Sequence, residues 1–303
     1  MFSYFDKCSR AGRSLAMAGG LCLGLAAGLA QAQQVDKQAP LYDRLPAEVQ
    51  AKGYLVSGTT GRYPPFNFMK EDGKTLQGVS IELAEEMSKV LGVPIRNELA
   101  ESVASLVTGL TSKRFDFIFG VIADTPERQN VVDMIGWKRQ TTAFMIAPDS
   151  KFQMQSIDDA CGLVVGIQKA SFVEPIIQRQ SELCVAAGKK PVRVSVLADQ
   201  ATLLLGLRAK RIDAVFSEMV ALVYQNSRSD NAFRVVPSGK NLLAELYQAS
   251  AARKGDPLSP VVMDAWKMLF ENGAYKRIMI KWGIEADMLD APGLNLAKPN
   301  KPA

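Results

Sequence analysis

Two residues of opposite charge follow similar strand patterns, and their types suit the binding of a small ion. Arg128 lies in "GVIADTPERQNVVD", residues 120–133, where Thr125 is a candidate N-cap and Pro126 the first helical residue. A cation is unusual in the first turn of a helix, because that end of the helix dipole favours Asp or Glu. The guanidinium of Arg128 is therefore predicted to bind an anion.

The stretch before Arg128 has an internal echo. "LTSKRFDFIFG" (110–120) and "LRAKRIDAVFS" (207–217) share the pattern L-x-x-K-R-[F/I]-D-x-[I/V]-F. Each copy reads as a helix end followed at once by an apolar strand, which predicts two similar lobes with a sheet in each. A chance match of a common helix-to-strand turn is the alternative. The first copy leads to Arg128, and the second leads through Ser217 to Glu218.

Ligands of open α/β sheets bind beyond the carboxyl ends of the strands, where Arg128 and Glu218 are expected. An arginine can hold a carboxylate in a fork, and a carboxylate can take an ammonium group. The pair therefore predicts a ligand with both charges, such as a free α-amino acid. For Glu218 the alternative is a surface acid at a helix start.

The N-terminal 32 residues have the pattern of a cleaved signal peptide. Three cations precede an apolar run from Leu15 to Leu29, which ends at Ala30-Gln31-Ala32, so cleavage is expected before Gln33. Lipoprotein processing at Cys22 is the weaker alternative, and a retained anchor is disfavoured because the run is short and rich in Gly and Ala. The predicted location is the periplasm.

Charge and composition exclude several functions. Loss of residues 1–32 removes three cations and one anion, so the formal net charge falls from +5 to +3, too little to indicate a nucleic-acid partner. The chain has no histidine, so no metal site and no cofactor are expected. Cys161 and Cys184 remain after cleavage; they predict a disulfide, with two buried free thiols as the alternative.

Strand and helix patterns alternate along the mature chain, which predicts an α/β fold. "YLVSGTTGRYPPFNF" gives a strand over 54–58 and then a Gly- and Pro-rich loop. "SIELAEEMSKVLG" has one apolar face at helical spacing, with Ser80 as a possible N-cap and Gly92 as the stop.

From about residue 53 to 284 the chain resembles the polar amino-acid family of periplasmic solute-binding proteins of ABC transporters, the family 3 extracellular solute-binding proteins. The resemblance rests on the order and spacing of "GTTGRYPPFNF", "GVSIELAEEMSKVLG", "RFDFIFGVIADTPERQ", "DDACGLVVGIQKAS", "RIDAVFSEMVA" and "NGAYKRIMIKWGI". The positions of Cys161 and Cys184 look like those of a disulfide-bearing subgroup.

The resemblance implies a type II periplasmic-binding-protein fold with mixed sheets flanked by helices. Lobe 1 is expected over 45–145 and 244–285, and lobe 2 over 146–243. Two hinge strands are expected, around 144–147 and 247–251. Residues 286–303 have the polar, Pro-containing composition of a flexible tail.

The resemblance also assigns roles in the site. Arg128 matches the carboxylate-binding arginine, Tyr63 the aromatic wall, and Glu218 the ammonium partner, where the family usually has Asp; the alternative for Tyr63 is a loop aromatic that covers the core. Ala123 stands where a Ser or Thr usually adds a hydroxyl, and Ala170-Ser171-Phe172 replaces a Gly-Thr turn. The further candidates are Gly120, Thr60, Val103 and Gln168.

The expected function is therefore capture of a solute and its delivery to a membrane permease, by a monomer without catalytic activity. Thr60 and Val103 stand where relatives for basic ligands have an acid and an aromatic residue, so a neutral or weakly acidic amino-acid-like solute is favoured. Two alternatives stay open: a cyclohexadienyl dehydratase-like enzyme on the same fold, and a ligand-sensing partner of a membrane receptor.

Overall fold

The computed structural model describes residues 35–169, 171–239 and 245–298, so the predicted signal peptide and Ala170 lie outside the described residues. The helices in these ranges are α1 (Ala47–Lys52), α2 (Val79–Leu91), α3 (Val103–Thr111), α4 (Pro126–Gln129), α5 (Glu174–Ala186), α6 (Gln200–Arg208), α7 (Met219–Ser227), α8 (Leu258–Glu271) and α9 (Ala274–Lys281). The strands are β1 (Leu55–Thr59), β2 (Arg62–Tyr63), β3 (Asn67–Met69), β4 (Leu76–Gln77), β5 (Ile95–Leu99), β6 (Phe117–Asp124), β7 (Val132–Arg139), β8 (Thr142–Ile146), β9 (Val164–Gln168), β10 (Arg193–Leu197), β11 (Ala214–Glu218), β12 (Arg234–Pro237), β13 (Tyr247–Arg253) and β14 (Met288–Leu294).

Two mixed sheets form two lobes. The sheet of lobe 1 has the order β14-β7-β13-β6-β1-β5, and that of lobe 2 has the order β10-β9-β11-β8-β12. A small antiparallel sheet, β2-β3-β4, adjoins lobe 1. Apolar side chains cover both faces of each large sheet. The predicted α/β fold with two lobes is confirmed.

The internal echo is a repeated piece of structure. In both copies the lysine that follows the helix, Lys113 or Lys210, has a positive φ, 64° and 55°. The aspartate of each copy then accepts a backbone N–H from the neighbouring strand at 2.7 Å, Asp116 from Val56 and Asp213 from Val164. The shared Asp therefore fixes the start of the central strand in each lobe, which explains the pattern better than chance.

The chain crosses from lobe 1 to lobe 2 at residues 140–141, where the N–H of Gln140 donates to the carbonyl of Leu246 at 2.8 Å. This corrects the expected hinge at 144–147, because β8 pairs along its whole length with β11 of lobe 2, so lobe 2 begins at Thr142 and not at residue 146. Likewise, β13 lies within the sheet of lobe 1. The expected boundary at 243–244 lies outside the described residues.

The prediction of a flexible tail from residue 286 is wrong for the part that the structure describes. β14 pairs antiparallel with the outer edge of β7. Asn295 continues this pairing: its N–H donates to the carbonyl of Met134 at 2.7 Å, and its side chain accepts the N–H of Met134 at 2.9 Å. The unpaired edge of β7 thus offers backbone partners that a polar composition does not reveal. Residues 299–303 lie outside the described residues.

Two local predictions have different outcomes. The helix over 80–92 is confirmed as α2, and Gly92 ends it with a φ of 71°. Its N-cap is Gly78, not Ser80, because the chain enters the helix two residues earlier with a φ of 124° that only glycine adopts without strain. The Ser80 hydroxyl lies inside the protein, 3.4 Å from the carbonyl oxygen of Gly120.

Cys161 and Cys184 form the predicted disulfide, which ties the segment before β9 to α5. Replacing both with alanine is expected to lower the free energy of unfolding by about 3 kcal/mol, because the bond closes a loop between residues 23 apart in the unfolded chain. Urea unfolding of the variant and of wild-type protein, each with and without reductant, measures this. Equal unfolding free energies would contradict the prediction.

Candidate functional site

Arg128 lies at the start of α4, as predicted. Thr125 is the N-cap, its hydroxyl accepts the N–H of Arg128 at 3.4 Å, and Pro126 is the first helical residue. The guanidinium is half-buried and donates from Nη1 to the carbonyl of Ala123 at 2.6 Å. Burial lowers the pKa of Arg128, and the carboxylates of Glu127 and Asp124 oppose that shift. Within the described ranges Arg128 has no ion pair, so its other donors are available to an anion.

The segment after β14 braces α4 from behind. Asp124 is fully buried and accepts the Gln129 side-chain amide at 2.7 Å and the N–H of Ala297 at 3.1 Å. The same Gln129 amide donates to the carbonyl of Ala297 at 3.0 Å. Sequence reasoning missed this network because Asp124 and Ala297 are 173 residues apart.

Ending the chain after Asp287 is expected to weaken both the fold and the site. It removes β14, in which Leu289 is buried, and the bonds that Ala297 makes beside Arg128, so we expect a loss of at least about 2 kcal/mol in stability and a lower solute affinity. Thermal unfolding and calorimetric titration measure the two effects. The control ends after Lys298 and should behave as the full chain does; equal behaviour of both truncations would refute the bracing role.

Glu218 ends β11 and lies at the N-cap position of α7, but it is not the surface acid of the alternative interpretation. Its side chain is fully buried. The carboxylate accepts from Lys138 Nζ at 2.6 Å on Oε1 and from the Tyr63 hydroxyl on Oε2. Both partners belong to lobe 1, so Glu218 lies where the lobes meet.

Lys138, near the end of β7, is the main residue that sequence reasoning missed. Its ammonium group is fully buried and donates to Glu218, to the carbonyl of Arg139 at 2.7 Å and to Asp287 at 3.4 Å. Asp287 also accepts the Thr141 hydroxyl at 3.0 Å. We call Tyr63, Lys138, Glu218 and Asp287 the interlobe cluster. In the sequence, Glu218 is 80 residues and Asp287 149 residues away from Lys138, so no local pattern reveals these contacts.

Tyr63 contacts both lobes. Its ring packs against Phe66, with centroids 5.2 Å apart, and adjoins the core of lobe 1. Its hydroxyl reaches across to Glu218 of lobe 2. Burial, and then the negative charge of Glu218, hold the pKa of Tyr63 well above its ordinary value, so the hydroxyl keeps its proton and donates.

The strand register joins the Arg128 region to the interlobe cluster. Ala123 on β6 pairs with Gln248 on β13, which in turn pairs with Lys138 on β7. Directly paired residues project to the same face of a sheet, so these three side chains form a row across it. Gln248, which sequence reasoning did not select, lies in the middle of this row, between Ala123 and Lys138.

The other candidates occupy separate local environments. Gly120 has a φ of 58°, and its N–H donates to Ser250 Oγ at 3.0 Å. The Thr60 hydroxyl donates to the side chain of Asn67 at 3.2 Å. Val103 begins α3 and packs on the core of lobe 1.

Three candidates of lobe 2 are half-buried. Gln168 ends β9, and its carbonyl accepts the N–H of Ser171 at 3.2 Å. Phe172 packs on the core of lobe 2, and its expected pocket role stays a prediction. Among the described residues no hydrogen bond joins any of these three side chains to Arg128 or Glu218.

Two cavities in the described residues lie away from these side chains. One, of about 610 Å³, is lined by α5 residues such as Gln178 and Glu182. Another, of about 390 Å³, lies between α2 and α9 beside Glu82 and Trp282. Within the described residues no group of three His, Cys, Asp or Glu side chains could hold a metal ion. The candidate site is therefore defined by its chemistry. It consists of Arg128, the interlobe cluster and the row of paired residues between them.

Comparisons with known proteins agree with this architecture. The family model for bacterial extracellular solute-binding proteins, family 3, matches residues 55–285. The arginine-binding protein ArgT of Corynebacterium glutamicum is 26% identical over 252 residues, 83% of this chain and 81% of that protein. The L-cystine-binding protein TcyJ of Escherichia coli K12 is 25% identical over 278 residues, 91% of this chain and 97% of that protein.

A solved structure of an ancestral arginine-binding protein bound to glutamine has a TM-score of 0.64 to this chain at 25% identity, and the match covers 77% of this chain and 99% of that one. The family match thus extends through both lobes, including β6, α4 and β11, which carry Arg128 and Glu218. The chain belongs to the bacterial extracellular solute-binding proteins, family 3.

Proposed function

We propose that this protein is the solute-binding component of an ABC importer, which captures an amino-acid-like solute between its lobes and delivers it to the membrane permease. The observation that carries the proposal is Arg128, a half-buried cation with one backbone hydrogen bond and no ion pair among the described residues. A carboxylate would complete its fork with two charge-assisted hydrogen bonds. The relatives named as binding proteins support a binding role without catalysis.

Closure of the lobes would couple capture to delivery. Tyr63 and Lys138 of lobe 1 already contact Glu218 of lobe 2, so the interlobe cluster favours a closed arrangement. A solute can shift a hinge equilibrium only through contacts that differ between the open and closed states. Arg128 at the edge of lobe 1 is the residue through which a bound carboxylate would add such a contact.

The proposed solute is neutral or weakly acidic. A basic side chain would need an anionic partner, and Thr60 and Val103 carry no charge: the Thr60 hydroxyl bonds to Asn67, and Val103 packs on the core. Two relatives are named for arginine and for cystine, so the choice between basic and neutral solutes is the informative one. We expect arginine to compete less well than neutral amino-acid-like solutes.

The proposed location is the periplasm, reached through cleavage of residues 1–32 before Gln33, and the proposed state is a monomer. The family is described as extracellular. In the described part of the chain, no helix is long and apolar enough to span a bilayer.

Thermal unfolding against a panel of solutes tests the proposal. The mature protein would first be refolded from denaturant, which removes any solute carried through purification. The panel holds amino acids, their 2-oxo and 2-hydroxy analogues, dicarboxylates and prephenate. A true ligand at a hundredfold excess over its Kd should stabilise the protein by about 2.7 kcal/mol. Turnover of prephenate would replace the proposal with a dehydratase; stabilisation by no carboxylate would refute it.

A further inference from the structure

Both carboxylates of the interlobe cluster already have partners inside the protein. Glu218 has both carboxylate oxygens engaged, one by Lys138 at 2.6 Å and one by Tyr63. Lys138 in turn uses its three N–H donors on Glu218, Arg139 and Asp287. The protein's own ammonium group thus occupies the position that the resemblance assigns to the ammonium of an amino acid.

Displacement of Lys138 by a solute would be costly. Both Lys138 and Glu218 are fully buried, and a buried charge that loses its partner is strongly destabilising. The other buried carboxylate beside Arg128 is Asp124, whose two oxygens already accept from Gln129 and from the N–H of Ala297. A solute ammonium would therefore have to share carboxylate oxygens that each already accept a hydrogen bond.

Gln248 offers a different partner in the same row. Its side chain is fully buried, and in the described part of the protein neither its amide oxygen nor its amide nitrogen has a hydrogen-bond partner. Buried polar atoms are rarely left unpaired, so this amide has hydrogen-bonding capacity that a bound group could use. It lies between Ala123, whose carbonyl holds the guanidinium of Arg128, and Lys138.

We infer that the solute is a carboxylate whose adjacent carbon bears an uncharged oxygen, a 2-hydroxy or 2-oxo acid, and that Gln248 binds this oxygen while Arg128 binds the carboxylate. An amide donates to a carbonyl and both donates to and accepts from a hydroxyl, so it suits either group. An ammonium could donate to the same amide oxygen, but the neutral amide would leave its charge unbalanced in a buried site. This inference rests on the proposed function and narrows its solute class.

Matched sets of acids test the inference on the wild-type protein. Each set shares one carbon skeleton: pyruvate, lactate and alanine; phenylpyruvate, phenyllactate and phenylalanine; 2-oxoglutarate, 2-hydroxyglutarate and glutamate. By calorimetry we expect the oxo or hydroxy member of the preferred skeleton to bind at least tenfold more tightly than the amino member. The difference arises because the amino member would bury an ammonium charge that the neutral amide of Gln248 does not balance. Tighter binding of the amino member would overturn this inference and leave the proposed function intact, whereas no binding of any acid would overturn both.

Gln248→Met provides the second readout, because methionine has a similar length without hydrogen-bonding groups. The variant should bind the preferred oxo or hydroxy acid about tenfold more weakly than wild type. The matched control is Gln180→Met, which alters another buried glutamine with an unpaired carbonyl oxygen, on α5 of lobe 2. Unchanged affinity in Gln248→Met, or an equal loss in the control, would remove Gln248 from the site.

Discussion

Arg128→Ala is expected to lower the affinity for the solute identified by the panel by at least about 100-fold, with little change in the stability of the solute-free protein. The guanidinium contributes one hydrogen bond to the fold, to the Ala123 carbonyl, but would contribute two charge-assisted bonds to a carboxylate. Loss of two such bonds in a site closed to water corresponds to about 2.7 kcal/mol or more.

Arg277→Ala is the matched control. Like Arg128, Arg277 donates from Nη1 to a backbone carbonyl, that of Asn272, and has no ion pair in the described residues, but it is exposed on α9. Calorimetric titration of both variants separates a local role from a general effect of charge. Wild-type affinity in Arg128→Ala, or an equal loss in Arg277→Ala, would exclude Arg128 as the carboxylate-binding residue.

Lys138→Met is expected to lower the free energy of unfolding by about 3–5 kcal/mol at neutral pH. The substitution leaves the carboxylates of Glu218 and Asp287 buried without their shared cation. A buried charge without a partner costs far more than the intact pair contributes, because neither water nor a counter-ion solvates it. Urea unfolding gives the difference directly.

Two further variants make this prediction specific. In Lys138→Met/Glu218→Met both charges of the closest pair are gone and only Asp287 still lacks its cation, so part of the loss should be recovered and the coupling appears in a double-mutant cycle. Lys210→Met breaks an ion pair of similar length, 2.7 Å to Asp149, whose partners are exposed, so its stability should match that of wild type. An equal effect of Lys138→Met and Lys210→Met would show that the interlobe cluster is not energetically coupled.

Local patterns were sufficient for the elements that carry the candidate site. Thr125 and Pro126 begin α4 as their cap chemistry predicts. The echoed motif ends in β6, which is followed by α4 with Arg128, and in β11, whose last residue is Glu218. These features depend on neighbours a few residues away, such as a hydroxyl that accepts a nearby N–H or a proline at the first helical position. The alternation of strands and helices likewise predicted the α/β fold, and the internal echo predicted its two lobes.

Only the tertiary structure determined the partners of those residues. The ammonium of Lys138 reaches Glu218 because β7 and β11 meet where the lobes join, although the two residues are 80 positions apart. The segment through Ala297 forms ordered contacts because the edge of β7 and the carboxylate of Asp124 supply its hydrogen bonds. Gln248 joins the row through the register of β13 with both of its neighbours. Composition and spacing determine which secondary structure a segment prefers. The burial and pairing of a charge depend instead on which distant segments the fold brings next to it.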